Sequence, residues 1–259
     1  MSGGNLWTGN APVIKDDITA GNISVKVDGG RIKSDNDNAV HLKDDSPGTV
    51  KLEVNKGVII GGKNGIWAEK GVNVEINGGN ILGSSVDGVA VVNGSKAVVN
   101  GGDIEGLWSG LYANDKSKIN INGGNFLGKT NADGICLKNK SKAEITGGTL
   151  KGKLSGLEVL SGSKAKIAGG IFIGEGQSGL YTEKIENVEI TGGVFNTKGS
   201  FGLRSSLCGM TDSTHSKKAT DMIKKGSVMS PDVKPVLFNK GLDRSEEHTS
   251  ELQSPIVIS

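Results

Sequence analysis

Residues 97–126 read AVVNGGDIEGLWSGLYANDKSKININGGNF and contain one complete unit of a repeat. The pair Gly101-Gly102 is followed by a variable residue and then Ile104, and the pattern returns at Gly123-Gly124 with Phe126. Eight copies, one of them degenerate, begin at positions 29, 56, 78, 101, 123, 147, 169 and 192. After a first step of 27, the steps are 22–24 residues. A regular period of this length predicts a solenoid in which each unit forms one coil.

Two further markers keep the same period. One is a glycine followed by an aliphatic, a variable and a small or aliphatic residue, as in Gly110-Leu111-Tyr112-Ala113. The other is an alternating segment that leads into each Gly-Gly pair, as in Ile119 and Ile121. Alternation with period two is typical of β-strands, so each unit holds three short strands. The sequence therefore predicts an all-β, single-stranded parallel β-helix of about eight coils, with strands of successive coils paired in parallel.

Composition agrees with this fold and excludes others. The chain has 42 glycines in 259 residues but only 5 prolines and 10 aromatic residues, which excludes collagen and disfavours helical bundles and doubly wound α/β folds. Thirty basic and 28 acidic residues are too balanced for a nucleic-acid-binding surface. No apolar run is long enough to insert into a membrane. Whether Cys136 and Cys208 pair stays open, and no pattern requires a cofactor.

The repeat assigns positions to the interior and to the corners. Alternation directs pairs such as Leu111 and Ala113 inward. Phe126, Phe172 and Phe195 occupy one position of successive units, which predicts an internal stack. The residue before each Gly-Gly pair is mostly small and polar, and such side chains are expected to hydrogen-bond from coil to coil.

The variable residue of the glycine–aliphatic marker is expected to face outward. We call this set the outward column; it consists of His41, Trp67, Ala90, Tyr112, Cys136, Glu158, Tyr181 and Arg204. Trp108 lies beside it. Exposed aromatic rings along one face offer flat surfaces for sugar rings or for another protein. The candidate ligand-binding residues are His41, Trp67, Trp108, Tyr112, Tyr181 and Arg204. The alternative is that these aromatics only support the sheet.

Other chemistry is sparse. Asp35 and Asp37 form a weak calcium candidate, against the alternative of a solvated corner loop. No other metal site and no Ser/His/Asp set can be assembled from the spacing. Cys136 stands in the outward column without a neighbouring histidine, which predicts a surface thiol rather than a nucleophile. The pattern shows no cluster of Asp, Lys or Arg on one outward face of neighbouring coils.

The repeat also sets domain boundaries. The β-helix domain is expected over residues 1–207, starting in mid-coil, as if the N-terminus were truncated. Residues 208–243 form a second segment with a short helix, either a cap of the rod or a tail. Residues 244–254 resemble the translation of a sequencing adapter, so residues 244–259 are treated as an artefact.

The Gly-Gly and glycine–aliphatic repeats, together with Ser-Lys-rich turns such as Gly94-Ser95-Lys96, resemble autotransporter passenger domains of the pectin-lyase-like superfamily. The resemblance covers about residues 3–207 and implies a right-handed β-helix. It also implies a secreted or cell-surface rod used in adhesion to host or glycan ligands. An outer-membrane β-barrel would follow such a passenger, and these residues do not include one.

Three functions remain open at this stage. The first is a non-enzymatic adhesin or passenger fragment that binds a glycan or a host surface protein. The second is a polysaccharide lyase or glycoside hydrolase on the same fold, and the third is a structural spacer without a ligand. The absence of a recognisable catalytic set favours the first.

Overall fold

The computed structural model describes residues 3–15, 21–45, 49–176, 178–197 and 203–205. They form a right-handed parallel β-helix of about eight coils, as the sequence predicts. Every strand pairing is parallel. Each coil contributes one strand to each of three rows, which run along the rod. Among these residues, no helix is long and apolar enough to cross a bilayer.

Row 1 holds the strands that lead into the Gly-Gly pairs, and row 2 holds the strands that follow them. Row 1 consists of the first halves of β3(Ile23–Ser34) and β5(Val50–Gly61), then β7(Asn73–Ile76), β10(Lys96–Val99), β13(Lys118–Ile121), β16(Lys142–Ile145), β19(Lys164–Ile167) and β22(Val188–Ile190). Row 2 consists of β1(Asn5–Thr8), the second halves of β3 and β5, then β8(Asn80–Gly83), β11(Asp103–Gly106), β14(Asn125–Gly128), β17(Thr149–Gly152), β20(Ile171–Gly174) and β23(Val194–Thr197). A 3-10 helix, Ile185–Asn187, precedes β22.

Row 3 carries the glycine–aliphatic markers and forms a separate nine-stranded sheet. It consists of β2(Ile14–Lys15), β4(Val40–Lys43), β6(Ile66–Glu69), β9(Val89–Val92), β12(Leu111–Ala113), β15(Ile135–Leu137), β18(Ser155–Val159), β21(Ser178–Thr182) and β24(Leu203–Ser205).

The first two complete coils depart from three short strands per coil. In β3 and β5 the chain continues as one 12-residue strand through the Gly-Gly corner, which joins rows 1 and 2 into one 15-stranded sheet. The register shifts between Val27 and Arg31, so the corner is absorbed as a β-bulge. Gly57, in the degenerate copy, has a φ of 103° that favours glycine at this bend.

The core is a continuous column of small apolar side chains, and its composition confirms the predicted inward positions. Leu111 and Ala113 are fully buried, as are their counterparts in neighbouring coils. Phe126, Phe172 and Phe195 are each at most 1% exposed. Only Phe172 and Phe195 stack directly, with ring centroids 4.7 Å apart, because Leu150 lies between Phe126 and Phe172 in the register.

The corner before the Gly-Gly pairs carries the predicted ladder of polar side chains. The Nδ2 group of each asparagine donates to the Oδ1 atom of the asparagine one coil earlier, at 2.7–2.8 Å from Asn77 through Asn122. Asn55 begins the series by donating to Asp28, and Thr146 continues it by donating to Asn122. These bonds satisfy the side chains along the rod and hold successive corners in register.

The segments 208–243 and 244–259, with the expected helix and the adapter-like stretch, lie outside the described residues.

Candidate functional site

The parallel register of row 3 places the outward column in one line. His41 pairs with Trp67, Trp67 with Ala90, and Ala90 with Tyr112. The line continues through Cys136, Glu158, Tyr181 and Arg204. Neighbouring members are therefore one strand spacing apart, roughly 4.8 Å. What these residues bind is not settled by their alignment, so their ligand-binding role stays a prediction.

One end of the column is polar and aromatic. His41 Nε2 donates to Glu69 Oε1 at 2.9 Å, and the His41 ring meets the Trp67 ring edge-on with centroids 6.5 Å apart. Glu69 is on the same strand as Trp67, two residues further along, so its side chain points to the same face. A half-buried imidazole, carboxylate and indole thus lie together on the surface.

The aromatic members of the column are half-buried rather than fully exposed. Trp67, Tyr112 and Tyr181 keep part of their surface in solvent, while Trp108, on the turn before β12, is 60% exposed. Burial raises the pKa of Tyr112 to about 12, with a smaller contribution from the nearby Cys136. Tyr112 therefore stays a neutral hydrogen-bonding group over the physiological range.

A second column, which sequence reasoning missed, is buried directly before row 3. It consists of Asn38, Asn64, Asp87, Ser109, Asp133, Ser155 and Ser178, all at most 7% exposed. The side-chain oxygens of Asn38, Asn64, Asp87 and Asp133 accept backbone N–H groups of the next coil; for example, Asp87 N–H donates to Asn64 Oδ1 and Ser109 N–H to Asp87 Oδ1. We call this set the buried polar ladder. Its signal in the sequence is a small polar residue before the glycine of almost every glycine–aliphatic marker.

The ladder and the outward column meet at Asp133, Cys136 and Glu158. One ligand atom from each of these residues lies within 4.8 Å of the others. Cys136 Sγ donates to Glu158 Oε2 at 3.4 Å, and Asp133 Oδ1 accepts the Ser155 N–H at 2.9 Å. Burial, and next the charge of Glu158, raise the pKa values of both Asp133 and Cys136. The raised pKa values keep the proton on the Asp133 carboxyl group and on the Cys136 thiol, so both groups can donate hydrogen bonds within the cluster.

The expectation of a surface thiol at Cys136 is wrong. Cys136 is only 4% exposed, although it stands in the outward column. The Asp133 carboxyl group and the Glu158 carboxylate lie against the thiol, within 4.8 Å of it. Burial and the raised pKa make this thiol unreactive.

One thiol and two carboxyl groups at this spacing are donors that a borderline cation such as Zn²⁺ accepts. Such a cation would have to displace the protons of Asp133 and Cys136 first. Without a cation, the hydrogen bonds within the cluster already satisfy its groups. The geometry permits a metal ion but does not require one.

The remaining sequence candidates lie apart from this region. Asp35 contacts Lys33 Nζ at 2.7 Å and accepts the Trp7 indole N–H, while Asp37 Oδ1 lies 3.2 Å from Lys63 Nζ. A lysine therefore already neutralises each carboxylate of the calcium candidate, which stays a prediction. Of Arg204 only the backbone is described, in register with Tyr181.

Removing the buried charge of Asp87 should stabilise the rod at neutral pH. Burial raises the pKa of Asp87 to about 6, so the folded chain binds more protons than the unfolded chain between about pH 4 and 6. The stability that protonated Asp87 contributes below the pKa of the unfolded chain is therefore lost as the pH rises to 6. At higher pH the folded chain carries the buried charge and lacks this contribution. Asp87→Asn keeps the acceptor for Ser109 N–H, as Asn64 does one coil earlier. We expect its free energy of unfolding to be about 2–3 kcal/mol higher at pH 7.5 and unchanged at pH 4.

Urea unfolding followed by circular dichroism across this pH range measures the effect. Asp115→Asn is the matched control because Asp115 is exposed and asparagines hold its place in the neighbouring turns, at Asn93 and Asn139. Equal stability of wild type and Asp87→Asn at pH 7.5 would contradict the assigned burial of charge.

Comparison with known proteins adds one finding. A family profile described as "Periplasmic copper-binding protein (NosD)" matches residues 17–228. This span takes in every strand from β3 to β24. No curated protein and no solved structure matches the chain.

Proposed function

The chain belongs to the NosD family of periplasmic copper-binding proteins, and we propose that it is a non-enzymatic binding rod of the cell envelope. Its ligand is a glycan, held along the outward column. The observation that carries this proposal is the alignment of Trp67, Tyr112 and Tyr181 on one face of row 3. Adhesin-like display at the cell surface, as in the autotransporter passengers that the repeat resembles, would put this face in contact with host or matrix glycans.

The spacing of the aromatic rings suits an extended ligand. Trp67 and Tyr112 are two strand spacings apart, roughly 10 Å, and Tyr112 and Tyr181 are three apart, roughly 14 Å. Half-buried rings hold their orientation, so their exposed faces can pack against the C–H faces of sugars. His41, Glu69 and Glu158 supply hydrogen-bonding groups on the same face, and such groups fix the orientation of a polar ligand.

Lack of catalysis is part of the proposal. Asp133 and Glu158 are two carboxyl groups of the outward region that lie within 4.8 Å of each other, and Asp133 is only 5% exposed. A polysaccharide could not bring a glycosidic bond within proton-transfer distance of a group buried to this degree. This burial favours a binding protein over the lyase or hydrolase that the fold also allows.

Copper binding, which the family description names, does not fit the described residues. Copper favours thiolate, thioether and imidazole ligands. In the part of the chain that the structure describes, the only such groups are the thiol of Cys136 and the imidazole of His41, four strand spacings or roughly 19 Å apart. The other groups of these kinds lie outside that part, at Met1, Cys208, Met210, His215, Met222, Met229 and His248. We therefore derive no copper chemistry from the rod.

Loss of the two central rings should remove glycan binding. We expect the double variant Trp67→Ala/Tyr112→Ala to retain less than a tenth of the wild-type signal on the uncharged members of an array of bacterial and host glycans, because the flat apolar contact is lost. Tyr112→Phe keeps the ring and should bind as wild type does. Trp7→Ala, an exposed tryptophan in row 2, is the control for loss of an indole elsewhere. Unchanged binding by the double variant, or binding of a host protein but of no glycan, would contradict the proposal.

A further inference from the structure

Row 1 carries four lysines stacked in register. Lys96, Lys118, Lys142 and Lys164 are the first residues of β10, β13, β16 and β19, and each pairs with the next. All four are exposed. We call this set the lysine column. It corrects the expectation that no outward face of neighbouring coils gathers basic residues, because only the register shows that residues 22–24 positions apart lie side by side.

The backbone beneath the column is held firmly. Each lysine follows a buried serine, and the N–H groups of Lys118, Lys142 and Lys164 donate to the carbonyl of the serine one coil earlier, at 2.9–3.0 Å. The preceding turns repeat the same left-handed conformation, as at Asn139 and Lys140, with φ values of 52° and 64°. The four side chains therefore leave the rod in one direction and one strand spacing apart, roughly 4.8 Å.

No carboxylate within the described residues forms an ion pair with any of the four. Lys51, earlier in the same row, shows the usual arrangement, since it pairs with Glu53 and Glu75. Like charges directly opposite each other on neighbouring strands destabilise a sheet. The lysine column is thus a repulsive arrangement that the described residues do not neutralise.

The surroundings of the column strengthen the positive charge. The four turns and strand beginnings, residues 93–98, 115–120, 139–144 and 161–166, contain seven lysines and two carboxylates, Asp115 and Glu144. The chain as a whole carries only +2. Positive charge is therefore concentrated along one edge of the rod and attracts a polyanion to it.

We propose that the lysine column binds a linear acidic polysaccharide that carries a carboxylate on each sugar and runs parallel to the rod axis. A single line of ammonium groups matches a single line of carboxylates, and each lysine neutralises one or two of them as a point charge. The four strands contain no aromatic residue on which bases could stack, which disfavours a nucleic acid. This surface lies on another sheet from the outward column and is independent of the function proposed for that column.

Fluorescence anisotropy with labelled alginate oligomers tests the proposal on the full chain. We expect wild type to bind, with an affinity that falls steeply as salt rises from 50 to 300 mM, because salt screens the attraction between exposed ammonium and carboxylate groups. Lys118→Gln/Lys142→Gln should weaken binding at least tenfold and flatten the salt dependence. Lys56→Gln/Lys184→Gln removes the same charge from exposed positions outside the column and should bind as wild type does.

The same assay separates the alternatives. Neutral dextran should not compete with alginate, and Trp67→Ala/Tyr112→Ala should bind alginate normally, since the outward column is not involved. Thermal unfolding should show Lys118→Gln/Lys142→Gln to be no less stable than wild type, because repulsion is relieved. Absence of alginate binding by wild type would overturn the proposal. So would equal loss in both lysine double variants, or tighter binding of a single-stranded oligonucleotide or of anionic lipid vesicles.

Discussion

Gly106→Ala should unfold the central coils of the rod. A Cβ atom at this position would lie 2.0 Å from the Ser109 carbonyl oxygen and 2.7 Å from the Gly88 nitrogen. That carbonyl accepts the Gly88 N–H at 3.0 Å, so it cannot move away without breaking a bond between coils. The groups in the way are backbone, and no change of rotamer relieves the contact. We expect a loss of more than about 4 kcal/mol, in the range that only severe steric or cavity defects produce.

Urea unfolding and limited proteolysis measure this loss. Because each coil of a solenoid contacts only its neighbours, cleavage should begin in the coils on either side of residue 106. Gly9→Ala is the control, since a Cβ atom there meets nothing within 4 Å. A urea midpoint for Gly106→Ala within error of the control would show that the corner accommodates a Cβ atom and would contradict this prediction.

Gly106 belongs to a glycine column that sequence reasoning did not separate from the others. The equivalent strands of row 2 also end in glycine, at Gly83, Gly128, Gly152 and Gly174. A Cβ atom at each would lie at most 2.3 Å from a backbone carbonyl oxygen. The carbonyl belongs to a member of the buried polar ladder in every case, for example Asp133 for Gly128. The period of the glycines could be predicted because it is visible as a regular spacing in the sequence. The corner at which a Cβ atom would clash could not be predicted, since the clash depends on how two turns meet in space.

The same distinction explains the candidate sites. The outward column could be predicted because its members occupy one position of one marker, and parallel pairing then aligns them. The burial of Cys136 could not, because the approach of the Asp133 carboxyl group to the thiol depends on how a turn and a strand meet in space. The lysine column is hidden in the sequence for a simpler reason. Its members begin strands whose apolar residues, such as Ile119 and Ile121, dominate the pattern.

Phe172→Ala should cost the rod about 3–5 kcal/mol, the usual range for removing a fully buried aromatic side chain. The Phe172 ring is 0% exposed and stacks on Phe195 at 4.7 Å with 13° between the ring planes. Its removal opens a cavity between two coils and also ends the ring–ring contact. Phe172→Leu should cost far less, because Leu150 fills the same position one coil earlier. Ile171→Ala, next along the strand but 44% exposed, should change stability by about 0.5 kcal/mol or less.

The loss at Phe172 should also be local, and hydrogen exchange can show this. Amides of β17, β20 and β23 should exchange faster in Phe172→Ala, because these strands surround the cavity in row 2. Amides of β7 and β10, three or more coils away, should keep their wild-type protection because coupling in a solenoid passes from neighbour to neighbour. Uniformly faster exchange along the whole rod would mean that the coils unfold as one cooperative unit. In that case the glycine corners and the phenylalanine stack would stabilise the rod jointly, and the effects of Gly106→Ala could not stay confined to its own coils.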